Sequence, residues 1–422
     1  MIEILNTFFI IIFFSILLSN IYIINFIKNK INLIDLTMPN IFSINLLIIM
    51  MFFLIVSFFE INLVSVTILF FLISLIGIIP QKNNKFVFKK DNIFYSIFFL
   101  ILCLILSIDL VANPKLEWDG HGWYFHAFNF KENNTFFNLV HTDRYNHPHL
   151  GGIFWSILWK ISFFDYEFYG RIFYVIIYLC AILNVSANVS KLFFNRTVIS
   201  IILIFLTYDK FLFGGYQEIL IFSIIVIIMN LIHNLNLRKL SVFQIFFISI
   251  LSSLLLWSKN DGIIFFSIII FYLIYYQNFK NKLFLISLYS ISIILKFYFL
   301  NLNEFSEIIL PGTNLFMFDF ELFFQKIIFI ILHTSIAIFK YPIWILFIFI
   351  IILKWKFKKD LNVIFFSLIS ISFIFLVYLF NDVEDYKWLI TGSLDRLIFQ
   401  SSGFLLLFVS NSIESLLRKS KY

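Results

Sequence analysis

Long apolar runs separated by short polar connections dominate the chain. A transmembrane helix needs about 20 consecutive apolar residues, and about thirteen runs approach that length. They cover residues 5–27, 43–59, 62–80, 93–112, 168–190, 197–213, 219–236, 241–257, 262–278, 283–300, 325–353, 361–380 and 398–417. The pattern therefore predicts an all-α, polytopic membrane protein with about 13 transmembrane helices.

One stretch, residues 112–150, interrupts this pattern because it is long and polar. Its ionisable residues include Glu117, Asp119, His121, His126, His141, Asp143, Arg144, His147 and His149. Glu117 and Asp119 lie in a glycine-bearing, turn-prone stretch just beyond the end of a predicted helix. A carboxylate in that position can take a proton from an acceptor hydroxyl as a general base. The alternative is an ordinary solvated acid in a loop.

Composition excludes several classes of protein. The chain has 422 residues, of which 61% are hydrophobic and 13% charged, so a soluble core is excluded. The net charge of +7 does not indicate nucleic acid, because the basic residues cluster at the ends of apolar runs. Cys103 and Cys180 lie inside apolar runs, so neither a disulfide nor a thiolate metal site is expected. The first run lacks a basic leader and a small-residue cleavage site, which favours a retained span.

The basic clusters predict the orientation of the helices. They are Lys28 and Lys30, Lys82 to Lys90, Arg238 and Lys239, Lys280 and Lys282, Lys354 to Lys359, and Arg418 to Lys421. The positive-inside rule places them in the cytoplasm. Residues 150–164 are too short to cross and contain Lys160, so they are expected to form an interfacial or re-entrant helix. The external loops are then 112–167, about 214–218, 258–261, 301–322 and 381–397.

Six short motifs follow one another on the predicted outer side. They are Trp118-Asp119-Gly120 followed by Trp123 and Phe125-His126-Ala127-Phe128, Tyr145-Asn146-His147-Pro148-His149-Leu150, Tyr169-Gly170-Arg171, Phe213-Gly214-Gly215-Tyr216-Gln217-Glu218, Ser258-Lys259-Asn260-Asp261-Gly262, and Ser393-Leu394-Asp395-Arg396. In this order they resemble motifs of bacterial membrane glycosyltransferases with the GT-C fold, related to the mannosyltransferase and aminoarabinose-transferase-like families. The resemblance covers roughly residues 95–417. It departs from the family pattern at His126 and His149, where relatives have Lys and Pro.

The resemblance also implies an organisation of the chain. In such relatives the acidic loop follows the first span, whereas here it follows the fourth. Residues 1–92 are therefore expected to be additional N-terminal helices, and residues 93–417 a GT-C-like core. Its catalytic outer loop at 112–167 is expected to carry juxtamembrane helices, as in such relatives. No internal repeat or linker is visible, so residues 1–422 are expected to form a single integral membrane domain.

What the resemblance implies is an inverting enzyme at the outer face of the cytoplasmic membrane. It would move a sugar from a polyprenyl-phosphate donor to an envelope glycan, lipid or protein acceptor, among membrane lipids and without nucleic acid. Asp119 is the implied catalytic base. The implied substrate-binding residues are Glu117, His121, Asp143, His147, Arg171, Glu218, Lys259, Asp261 and Arg396. Among these, Arg171, Lys259 and Arg396 are the candidates for the carrier phosphate, with snorkelling at helix ends as the alternative.

No cofactor is expected. The alternative is a divalent metal ion held by Asp119 and Glu218 with His147 or His121. Two other functions stay open, namely a polysaccharide polymerase or ligase and a non-enzymatic flippase or transporter for lipid-linked glycans. The early acidic loop argues against the first, and the collection of charges at one face argues against the second. Lys340 marks either a kink that faces a lipid-phosphate cavity or a break between two shorter helices.

Overall fold

The structure is a computed structural model, and it describes most of the chain. The described residues are 2–20, 22–23, 25–26, 37–59, 61–78, 90–112, 115–116, 118–134, 150–233, 235, 237–302, 320–354, 361–380 and 385–419. Within these ranges the regular structure is helical and no strand occurs.

Seventeen α-helices make up the described part of the chain. They are α1 (Ile2–Leu18), α2 (Met38–Val56), α3 (Leu63–Ile78), α4 (Lys90–Ala112), α5 (Trp118–Asn133), α6 (Leu150–Ile161), α7 (Phe168–Val189), α8 (Phe193–Thr207), α9 (Glu218–His233), α10 (Val242–Ser258), α11 (Gly262–Tyr276), α12 (Phe279–Leu302), α13 (Phe320–Lys340), α14 (Pro342–Lys354), α15 (Leu361–Leu379), α16 (Tyr386–Ser401) and α17 (Leu406–Lys419). Apolar runs favour helices because in lipid only a helix satisfies every backbone group within one segment.

Five of these helices are long and apolar enough to cross a membrane. They are α2, α4, α7, α12 and α13; α16 and α17, which meet at a 57° bend, make a sixth if they form one span. Nine further apolar helices are shorter. The chain is thus a helical protein of the multi-pass membrane type, while the count of thirteen spans stays a prediction.

The helices fall into two compact units. The first unit comprises Met1–Asn188 and Asp209–Glu304, and the second comprises Val189–Tyr208 and Phe305–Tyr422. The expectation of a single integral membrane domain, with extra helices in residues 1–92, stays a prediction.

In the first unit, helices α9 to α12 run alternately up and down. Lys259, Asn260 and Asp261 form the tight turn between α10 and α11, in which the Gly262 amide donates to the Lys259 carbonyl at 3.0 Å. At the opposite end, the Gln277 side chain donates to the Leu237 carbonyl. The start of α9 and the end of α12 therefore lie at the same end as the Lys259 turn. The basic connections at 238–239 and 280–282 lie at the other end.

Helix α5 occupies a segment that the sequence predicts as a turn-prone loop. The turn-prone stretch expected at Glu117 to Trp123 is helical from Trp118 onward, and this helix lies within the outer loop 112–167 that was expected to carry juxtamembrane helices. Buried positions recur in pairs along this segment, at Gly122 and Trp123, at His126 and Ala127, and at Asn129 and Phe130. This spacing matches the helical period and forms a buried stripe along α5 despite the two glycines.

Helix α6 packs against α5 in the same direction. Gly152, near the start of α6, lies against His126 in the middle of α5, and Lys160, near the end of α6, donates to Asn134 at 3.0 Å. Residues 150–159 are buried throughout. Their apolar side chains therefore serve the protein interior, which explains why so short a segment is so hydrophobic.

The long apolar run at 325–353 is two helices in the second unit. Helix α13 ends at Lys340 and α14 begins at Pro342, because proline lacks the amide hydrogen that a continuing helix requires. Lys340 pairs with Asp395 of α16 at 2.6 Å. Of the two alternatives for Lys340, the structure has the break between shorter helices.

Candidate functional site

A cluster of charged side chains lies at one end of the first unit. Lys259 contacts Glu218 at 2.9 Å and Asp261 at 3.0 Å. Glu218 is the first residue of α9 and its side chain is only 1% exposed. Lys259 and Asp261 come from the turn between α10 and α11. Three residues from two separate sequence motifs thus share one site, in which the lysine bridges two carboxylates.

Lys296 belongs to the same cluster, although the sequence analysis did not single it out. It lies near the C-terminal end of α12, is 1% exposed, and interacts electrostatically with Asp261. Its ammonium has no hydrogen-bond partner in the described part of the chain. The signal that would have found it is a lysine inside the apolar run ISIILKFYFL, since charges within membrane segments are rare and usually functional.

The turn before α9 brings this cluster next to the buried core. Gly215 has a φ of 101°, a left-handed conformation that glycine adopts without strain. The turn directs Gln217 inward, where its amide donates to the Tyr174 hydroxyl at 2.7 Å and to the Gly215 carbonyl at 3.2 Å. Tyr174 in turn lies within electrostatic range of Arg171 and Glu218.

Two glycines allow the starts of α5 and α6 to approach this turn. A Cβ atom on Gly120 would overlap the carbonyl oxygen of Gly214, and one on Gly151 would overlap the Gln217 side chain. Gly120 follows Asp119, whose backbone forms part of the first turn of α5. The backbone of Asp119 is therefore beside the 214–217 turn, within the same region of the first unit as the charged cluster.

Arg171 is fully buried and has a carboxylate partner. Its guanidinium contacts Glu167 at 2.9 Å and donates to the Lys115 carbonyl at 3.4 Å. Burial raises the pKa of Glu167 to about 7, against the opposing attraction of Arg171. Trp155 of α6 donates to the Glu167 carbonyl at 2.9 Å. The contact with Lys115 places Arg171 near the segment that leads into α5. Glu167 is a second residue of this region that the sequence analysis missed.

Three of the remaining predicted site residues lie outside the described part of the chain, and one, His121, lies on α5. Glu117, Asp143 and His147 lie outside the described residues. His121 is exposed on α5, whereas His126 is buried and its ring meets Trp123 edge-on at 5.3 Å. No group of three or more His, Cys, Asp and Glu side chains in the described ranges is arranged to hold a metal ion. The ionisable groups that the structure describes in the charged cluster are carboxylates and ammonium groups.

Arg396 belongs to the second unit. Its guanidinium donates twice to the Gly392 carbonyl one turn earlier in α16, at 3.0 and 2.7 Å. The preceding residue, Asp395, is the partner of Lys340. The role of Arg396 as a phosphate ligand stays a prediction.

Comparison with known proteins identifies no relative, because no family model, curated protein or solved structure matches the chain.

The geometry of the site supports two kinds of chemistry. The carboxylates of Glu218 and Asp261 can accept hydrogen bonds, and the ammonium groups of Lys259 and Lys296 can attract an anion. Helices α9 and α11 both begin at the cluster, with Glu218 and Gly262 as their first residues. The positive ends of their dipoles add to the attraction for an anion.

Proposed function

We propose that this chain is a GT-C-like glycosyltransferase with about thirteen spans. It moves a sugar, with inversion, from a polyprenyl-phosphate donor to an envelope glycan, lipid or protein acceptor at the outer face of the cytoplasmic membrane. One observation carries the proposal. The backbone of Asp119, the turn before Glu218 and the Lys259–Asp261 turn come together at one end of the first unit. These are three of the motifs on which the family resemblance rests.

In the proposed reaction, the Asp119 carboxylate accepts the proton of an acceptor hydroxyl. The acceptor oxygen attacks the anomeric carbon while the bond between that carbon and the phosphate oxygen breaks. The electron pair of that bond leaves with the phosphate, and the products are the glycosylated acceptor and the polyprenyl phosphate. Cations near the leaving phosphate lower the barrier because they face the charge as it develops.

The ion pairs suggest different roles for Arg171 and Lys259 in the first unit. Arg171 contacts Glu167, and Lys259 contacts Glu218 and Asp261. Arg171 therefore serves to fix α7 against the chain leading into α5. Lys259 is oriented by its two carboxylates. Glu218 and Asp261 are then available for sugar hydroxyls as well.

The test is the variant Asp119→Asn, which keeps the shape of the side chain but removes the base. We expect sugar transfer in membrane vesicles supplied with a polyprenyl-linked donor to fall by about 10²- to 10⁴-fold, with unchanged membrane insertion. Glu132→Gln is the matched control, since Glu132 is an exposed acid at the far end of the same helix. Near-normal turnover of Asp119→Asn would reject Asp119 as the base, and absence of transfer by the wild-type protein with every lipid-linked sugar tried would reject the function.

A further inference from the structure

A lysine ammonium is held inside the first unit without a hydrogen bond from the described residues. Lys296 is 1% exposed, and its ammonium has no partner within hydrogen-bonding distance among them. Removing an ammonium from water without hydrogen bonds is costly. We expect an anionic ligand to supply the hydrogen bonds that such a buried ammonium lacks.

The surroundings of Lys296 indicate where that ligand binds. Lys296 interacts electrostatically with Asp261, which also contacts Lys259 at 3.0 Å. The cluster of Glu218, Asp261, Lys259 and Lys296 holds two carboxylates and two ammonium groups. Lys259 bridges both carboxylates, whereas Lys296 makes no hydrogen bond to either of them. Lys296 is thus the cation whose hydrogen-bonding capacity is available to a ligand.

Two helix starts strengthen the preference for an anion. Helices α9 and α11 begin at Glu218 and Gly262, so the positive ends of both helix dipoles lie at the cluster. Phosphate oxygens accept several hydrogen bonds at once and suit a site of this kind. A lysine on an otherwise apolar helix also suits a phosphate that is attached to a lipid chain.

We infer that Lys296 is a substrate-binding residue that contacts the phosphate of the polyprenyl carrier, with Lys259 beside it. This inference rests on the proposed function for the identity of the carrier. Lys296 binds the phosphodiester of the donor and the phosphate monoester that is released. Because the monoester carries more negative charge, Lys296 stabilises the leaving group as the bond breaks.

The experiment measures binding to the full-length protein in nanodiscs. The probes are undecaprenyl phosphate, undecaprenol and inorganic phosphate, and the variant is Lys296→Met. We expect the wild-type protein to prefer undecaprenyl phosphate over undecaprenol and the variant to lose that preference by roughly 10- to 100-fold. Lys282→Met is the matched control, because Lys282 lies on the same helix about 20 Å away at its other end, and it should bind like the wild type.

A second measurement separates ligand binding from a structural role. Removing an ammonium that lacks hydrogen bonds should leave the melting temperature of the ligand-free protein unchanged or higher. A structural ion pair would instead make both Lys296→Met and Lys296→Gln less stable than the wild type, and that joint outcome overturns the inference. If Lys296→Met does not fold, Lys296→Gln carries the binding test, since it keeps a polar group without the charge. Undiminished preference for undecaprenyl phosphate in a folded Lys296 variant also overturns it.

The probes distinguish failure of the inference from failure of the proposed function. Preference for undecaprenyl phosphate that persists in Lys296→Met rejects the role of Lys296 and leaves the lipid carrier in place. Lys296-dependent binding of inorganic phosphate, without preference for undecaprenyl phosphate, supports an anion site at Lys296 and rejects the lipid-linked donor.

Discussion

At the scale of single residues, burial decides what each charged group can do. Arg171 is buried and its partner Glu167 is partly buried, and the loss of hydration outweighs the attraction of the guanidinium and raises the pKa of Glu167 to about 7. A carboxyl whose pKa is higher in the folded state binds a proton on folding. The stability that it contributes is complete below its ordinary pKa and is lost as pH rises through 7.

The variant Glu167→Gln tests this pair. It mimics the protonated carboxyl, so it should match the wild type near pH 4.5 and become more stable than the wild type by roughly 1–3 kcal/mol above pH 7. The measurement is the melting temperature of both proteins in detergent from pH 4.5 to 8. Asp165→Gln is the comparison, because hydrogen bonding to Lys131 lowers the pKa of that exposed carboxyl. A difference between wild type and Glu167→Gln that stays constant with pH would contradict the assignment.

The sequence predicted the residues of the ionic cluster only in part. Glu218, Lys259 and Asp261 were recognised because polar motifs between apolar runs are conspicuous. Lys296 was missed because it lies within an apolar run, and Glu167 because it lies at the border of one. Neither the bridge across Lys259 nor the buried state of Glu218 could be predicted, because both depend on how helices far apart in the chain pack.

At the scale of helices, close approach through glycine sets the positions of α5, α6 and α7. A Cβ atom on Gly170 would overlap the backbone carbonyl and ring of Trp155. Backbone cannot move aside as a flexible side chain can. The contact between α6 and α7 therefore depends on the missing side chain, and so does the placement of Trp155 over Glu167 and Tyr174.

We expect Gly170→Ala to destabilise the protein by about 1–3 kcal/mol through this overlap. Gly392→Ala is the matched control. A Cβ atom there would meet nothing within 4 Å, and alanine favours a helix over glycine by roughly 0.5–1 kcal/mol. Melting temperatures in detergent should fall for the first variant and stay equal or rise for the second. Equal effects of the two substitutions would show that Gly170 is not a required close contact.

Buried asparagines join other helices of the first unit. Asn184 of α7 donates to Asn40 of α2 at 2.9 Å, and Asn230 of α9 donates to the Asn184 carbonyl at 3.1 Å. Hydrogen bonds between apolar helices add specificity where lipid and core are equally hydrophobic. The sequence did not indicate this network, since asparagines are frequent throughout the chain.

At the scale of the whole molecule, the charged cluster and the basic connections at 238–239 and 280–282 lie at opposite ends of helices α9 to α12. The positive-inside rule assigns the basic end to the cytoplasm. The end with Glu218, Lys259 and Lys296 is then outside, where a lipid-linked donor would be used. The orientation itself remains a prediction from the distribution of Lys and Arg.

Labelling of introduced cysteines tests that orientation. Asn133→Cys, at the exposed end of α5, should react with a membrane-impermeant maleimide added outside the cell. Lys239→Cys, exposed in the basic connection, should react only after the cytoplasmic side is opened. Cys103 and Cys180 are buried, so the unmodified protein should give little background. The reverse pattern of labelling would place the candidate site in the cytoplasm.

The sequence by itself determined that the chain is helical and of the membrane type, because helix formation and hydrophobicity depend on neighbouring residues. It also located the polar motifs between the apolar runs, whereas the break between Lys340 and Pro342 was only one of two alternatives. Only the tertiary structure decided that residues 118–133 form a helix, that residues 150–159 are buried within the protein, and that the Lys296 ammonium is buried without a hydrogen-bond partner among the described residues. These features arise from contacts between segments distant in sequence, and the free energy of burying a charge depends on those contacts.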